Sequence, residues 1–150
     1  MTDLGTTSED KRKHLEFIQG VINRMASNSF LFKGWSITII AAISAFATKD
    51  ANPMLMVVPI VSTILFWSVD AFYLLLERNF RNVYNAVAIK PVNEIDFKLT
   101  PEKTTTGAWL KVMFGRPILY LFYGAVLIML IVLTLLLNNI GVEVKITHGA

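Results

Sequence analysis

The sequence predicts an all-α integral membrane protein with three transmembrane helices. Three observations carry this: 54% of the 150 residues are apolar against 17% charged, the apolar residues gather into three long runs, and the basic residues fall between those runs unevenly. Such a composition is too apolar for a domain that must face water on every side. With no cysteine in the chain, disulfides, thiolate metal sites and thiol nucleophiles are excluded.

The N-terminal segment reads as an amphipathic helix over 8–29. Leu15, Ile18, Ile22 and Met25 recur at helical spacing, Phe17 and Val21 widen the stripe, and Ser8 with Glu9 and Asp10 suits a helix start. Its apolar face could pack on a neighbouring helix, lie on anionic lipid, or receive a partner. The first span follows over 30–48. It reaches the ~20 residues that cross a ~30 Å hydrocarbon core only if Lys33 is included, its amine paired or snorkelling. Ala45-Phe46-Ala47 has the small-residue pattern of a signal-peptide cleavage site, but the charged leader before it is far too long for one.

The second span covers 53–76 and continues as a helix to about Ile89, because Phe80, Val83, Tyr84 and Val87 extend its apolar stripe until Pro91 ends it. Residues 90–116 form a polar loop. Ile95, Phe97 and Leu99 alternate with polar residues as an extended piece does, and Thr104–Phe114 reads as a short interfacial helix closed by Gly115. Pro117 opens the third span, 117–138, at a first-turn position where proline lacks no needed donor. This span is nearly all bulky aliphatic or aromatic and reads as a lipid-facing wall. In the tail, 139–150, Val142, Val144 and Ile146 alternate with polar residues, a strand pattern that needs a partner or belongs to a frayed end.

Residues 1–33 hold five basic residues and 77–116 hold seven, against Lys49 in the first link and Lys145 in the tail. Basic residues stay on the cytoplasmic side, so the N-terminus and the 77–116 loop are expected in the cytoplasm and the C-terminus outside.

Within the spans the conspicuous group is Asp70. A charge at the centre of a membrane helix costs roughly 2.5–3.5 kcal/mol, less toward the ends, and requires a partner. If the first two spans run antiparallel around residues 49–52, residues at one depth have numbers summing to about 101; Lys33 with Asp70 sums to 103 and Arg24 with Glu77 to 101. Lys33 and Arg24 are nine residues apart and point to opposite faces at about 100° per residue, so a straight hairpin cannot form both pairs. Either Arg24 serves a second subunit or the helix breaks near Gly34. Asp70 can thus be half of a structural clasp, an oligomer contact, or a group on an ion or proton path. Ser36, Thr38, Ala41, Ser44, Ala45 and Thr48 of the first span are candidates for close helix packing or for lining a narrow aqueous path. Trp35 and Trp109 are candidate interfacial anchors.

No phosphate loop, metal-spacing cluster or nucleophile constellation is present: His14 and His148 stand at opposite ends of the chain. The sequence therefore predicts no enzyme, no cofactor and no metal. Basic and acidic residues alternate outside the spans, which argues against nucleic acid as a partner.

The stretch "HLEFIQGVINRMASNSFLFKGW" with the later "FWSVDAFYLLLERNFRNVYN" resembles a widespread family of small bacterial inner-membrane proteins, over about residues 14–85. The resemblance implies a bacterial inner-membrane origin and the same helical hairpin, and it brings no catalytic residues to carry over. Short multispan chains without an enzyme site often serve as membrane effectors of anti-phage defence systems. By that analogy of architecture the expected function is an oligomeric effector or channel-like component that perturbs membrane integrity or potential. The alternative is a scaffold that anchors a soluble cytoplasmic protein.

Overall fold

A computed structural model describes residues 7–49 and 53–148, with side chains described for 7–49 and 54–139. The chain is helical nearly throughout: α1 (Ser8–Lys49), a short 3-10 turn (Pro53–Met56), α2 (Val57–Ile89), a second short turn (Val92–Glu94), α3 (Thr106–Gly115) and α4 (Pro117–His148). α1, α2 and α4 are each long and apolar enough to cross a membrane.

α1 is one unbroken helix of 42 residues. At a rise of 1.5 Å per residue it is about 63 Å long, twice the hydrocarbon thickness, so the amphipathic segment and the first span are a single rod. Thr7 caps it: the Asp10 amide donates to Thr7 Oγ1 at 3.2 Å, while the Thr7 amide donates to Asp10 Oδ2 at 3.0 Å. This reciprocal arrangement satisfies two backbone donors at the helix start and holds the Asp10 carboxyl below its usual range, chiefly through the Thr7 hydroxyl.

α2 runs antiparallel beside α1 over its whole length. Near the turn, Ala47 and Met56 belong to one buried cluster with Ile40, Leu130 and Leu137. At the far end Ile18 and Ile22 pack on Val87, flanked by Leu15, Phe80, Val83 and Tyr84. Lys11 Nζ closes this end by donating to the carbonyls of Ala88 at 2.9 Å and Lys90 at 2.8 Å. Ile18 and Ile22 of the apolar stripe over 8–29 are therefore covered by the extension of α2, while Phe17 at its edge stays exposed. Pro59 sits in the first turn of α2, where a missing N–H is harmless, and Lys90 adopts the extended conformation that Pro91 imposes.

The loop after α2 crosses back over the hairpin. Ile95 is buried, Asn79 Nδ2 donates to the Glu102 carbonyl at 3.2 Å, and the Phe97 ring meets His14 edge-on at 5.3 Å. Phe97 is held at φ 52°, an unfavourable backbone region for a bulky residue. α3 begins at Thr106, its cap Thr105 accepting from the Ala108 amide at 3.2 Å. Gly115 remains helical with no positive φ; the break comes at the extended Arg116, just before Pro117.

Two expectations fail here. The strand pattern over 142–147 is not used: α4 continues through it to His148, because a helix satisfies its own backbone donors and acceptors whereas a lone strand leaves both without partners. The third span is also more than a lipid-facing wall. Leu119, Tyr123, Leu130 and Leu137 are buried, with Val126 and Leu133 packed between them, a 4,3 repeat that seats α4 on the hairpin. Its other faces, including Leu121, Ile128 and Leu135, remain exposed and apolar.

Candidate functional site: a four-residue polar clasp between three helices

The polar centre forms where α1, α2 and α4 meet. Lys33 Nζ lies 2.6 Å from Asp70 Oδ2 and donates to Ser29 Oγ at 3.0 Å. Ser29 Oγ in turn donates to Asp70 Oδ1 in a short hydrogen bond. From α4 the Tyr123 hydroxyl donates to Asp70 Oδ2 at 3.1 Å. Asp70 is fully enclosed, and so is Tyr123. Both carboxylate oxygens thus have donors, which is the condition under which a buried charge is tolerated.

Local sequence explains the placement. Ser29 and Lys33 are one turn apart and stack on one face of α1. Ser36, one turn further on and buried, donates to the Lys33 carbonyl at 2.8 Å. On α2, Trp67, Ala71 and Leu75 surround the Asp70 turn with apolar walls, and the Trp67 ring stacks on Tyr123 at 6.1 Å. Water-excluding walls strengthen the ion pair and make loss of either partner costly.

Neither Ser29 nor Tyr123 figures among the sequence candidates. Ser29 was legible, since 29 and 70 sum to 99, as near the antiparallel register as Lys33. Tyr123 had no comparable signal, because nothing in the sequence sets the rotation of α4 against the hairpin.

The second pair does not form. Arg24 is exposed, and Glu77 pairs instead with Arg81 one turn along its own helix, at 2.7 Å. Arg24 and Glu77 share a depth, but the unbroken α1 turns Arg24 away from α2. There is no break near Gly34.

The packing or lining candidates divide between two faces. Ser36 and Ser44 are buried in the bundle, and the Ser44 hydroxyl is enclosed without a hydrogen-bond partner among the described residues. Thr38, Ala41 and Ala45 lie on the outward face with Gly34 and the half-buried Thr48, about 130° around α1 from the buried stripe at 100° per residue. The hydroxyls of Thr38 and Thr48 donate to carbonyls of their own helix, at 3.2 and 2.9 Å. Trp35 is exposed, as an anchor would be. Trp109 is not a free anchor: its indole N–H donates to the Ser68 carbonyl at 3.0 Å, and Trp67 donates to the Met113 carbonyl at 3.1 Å, so two indoles stitch α3 to α2.

Among the described residues no three of His, Asp and Glu converge as metal ligands would. Chemically the clasp can hold three helices together at a fixed rotation, and its carboxylate is enclosed. Comparison of the chain with protein families, with curated proteins and with solved structures finds no match.

Proposed function

We propose that this chain is a multi-pass protein of the bacterial inner membrane, with its N-terminus cytoplasmic and its C-terminus outside, that works as a homo-oligomer and acts on the membrane and not on a substrate. In this reading it is a non-enzymatic effector or channel-like component, of the kind anti-phage systems deploy against membrane integrity or potential.

The observation that carries the reading is the uncovered face of α1. Gly34, Thr38, Ala41 and Ala45 face outward at helix-packing spacing, and a Cβ added at Gly34 meets nothing within 4 Å. A glycine inside a helix costs about 1 kcal/mol relative to alanine, and the chain's own packing does not require this one. Close approach of a second helix would use it. The clasp supports the same reading by making the three helices one rigid unit, with its polar groups turned inward.

Any aqueous path therefore arises between copies, not inside one. Because the chain has no cysteine, single cysteines at Ala41 or Ala45 should give disulfide-linked dimers in membranes, whereas one at the buried Ile40 should not. Induced expression should depolarise cells. A monomer by native mass spectrometry, or an unchanged membrane potential with the neighbouring genes also present, defeats the proposal.

A scaffold role is the second reading. It draws support from the helical extension, where Phe17 and Ile89 are 60% and 87% exposed. Recovery of a stoichiometric soluble partner in mild detergent would favour it.

A further inference from the structure

A separate cleft of about 450 Å³ opens between the basic end of α2 and the start of α4. Its α2 wall is a single helix stripe: Leu74, then Arg78, Arg81 and Asn85, with Glu77 and Asn82 beside it. Arg116 and Ile118 form the facing wall. Glu77 is the one acid lining it, and it is already matched by Arg81 at 2.7 Å. Arg78 and Arg116 have no ion-pair partner among the described residues. The cleft thus carries two uncompensated guanidinium groups and two side-chain amides.

Its other end is apolar. Leu74 and Ile118 border it on the side of the spans, each next in sequence to a buried leucine, Leu75 and Leu119. The first turn of α4 also begins here; its Leu119 and Tyr120 amides are taken by the Arg116 carbonyl and Pro117 has no N–H, so this helix end contributes the positive end of its dipole and not free donors. Guanidinium donors, amide donors, a helix N-terminus and an adjoining apolar wall at the end of a membrane span match one ligand chemistry: a phosphate oxyanion carried on an acyl chain.

We infer that this cleft binds the phosphate headgroup of an anionic phospholipid, with Arg78 and Arg116 as the principal donors, Asn82 and Asn85 completing the shell, and an acyl chain against Leu74 and Ile118. Arg81 contributes less, because Glu77 occupies it. The bound lipid bridges α2 and α4 at the end opposite the α1–α2 turn.

Native mass spectrometry of the full-length protein, extracted from vesicles holding equal phosphatidylglycerol and phosphatidylcholine, tests this. The natural protein is expected to retain phosphatidylglycerol preferentially. R78Q/R116Q is expected to lower that retention by about tenfold or more, since both principal basic donors to the headgroup are lost. R12Q/K13Q removes the same charge from the far end of α1 and is expected to leave retention unchanged. Inorganic phosphate at millimolar concentration is expected not to displace the lipid. Equal retention of the two lipids by the natural protein overturns the inference even if the variant fails to fold. So does unchanged retention in a folded R78Q/R116Q, an equal loss in R12Q/K13Q, or displacement by inorganic phosphate, which would assign the cleft to a free anion.

Discussion

Tyr123 on the last helix donates its hydroxyl to Asp70 on the second at 3.1 Å, the same carboxylate oxygen that Lys33 approaches from the first at 2.6 Å. One buried acid thus ties together three helices that the sequence separates by up to 94 residues, Ser29 to Tyr123. Removing the phenolic donor alone should be mild. Hydrogen bonds between membrane helices are worth about 0.6 kcal/mol on average and up to about 1.7. Tyr123→Phe is expected to fall in that range by reversible unfolding in detergent, with the ring stacking retained.

Breaking the ion pair is a larger change. Loss of one partner from a buried pair costs about 3–5 kcal/mol, because the survivor is left charged and enclosed. Lys33→Met and Asp70→Asn are each expected to destabilise on that scale. The double variant should recover most of the loss, so a double-mutant cycle in the same assay returns a coupling energy of at least 2 kcal/mol, by the same reasoning. A coupling near zero would mean that the two groups do not meet.

Ser44 points the other way. Its hydroxyl is enclosed with no partner among the described residues, and such a group carries a desolvation cost of about 1–3 kcal/mol. Ser44→Ala removes the hydroxyl without leaving a large void. It is expected to be neutral or stabilising in the same assay, unlike Ser29→Ala, which takes a donor from Asp70 and should be destabilising.

The outward stripe of α1 separates assembly from folding. Ala41→Leu or Gly34→Leu adds bulk where the single chain has open space, so thermal unfolding of the monomer should change little. Disulfide trapping between copies through a cysteine at Ala45 should fall severalfold if that face packs on a second helix. Trapping equal to that of the Ala45→Cys protein without the added leucine would place the contact elsewhere.

The α1 start is pH-dependent in a known direction. Asp10 is held below its usual range by Thr7, so its contribution is present above the unfolded value of about 3.9 and is lost as pH falls through the lowered folded value. Hydrogen-exchange protection of the amides at the start of α1 should decline below about pH 4, and Asp10→Asn should remove that pH dependence.

Much of this was legible in the chain. The spans announced themselves by length and apolar content, the helix ends by Pro91 and Pro117, and the Lys33–Asp70 pairing by antiparallel depth arithmetic. That arithmetic works because two straight helices joined by a short turn keep one register, which here extends as far as Lys11 with Lys90. It failed for Arg24 and Glu77 because equal depth does not mean facing sides: helix phase decides that, and α1 does not bend.

What the sequence alone determined is therefore one-dimensional: which segments are helices, how long they are, and which residues share a level. Rotation was decided only by tertiary packing. Nothing local tells α4 which stripe to bury, so Tyr123's place on Asp70, the inward turn of Ser36 and Ser44, and the cleft between Arg78 and Arg116 exist only once three helices have docked. The tail shows the same limit at short range. An alternating pattern over 142–147 suits a strand, but a strand requires a neighbour for its backbone, and the helix already under way required none.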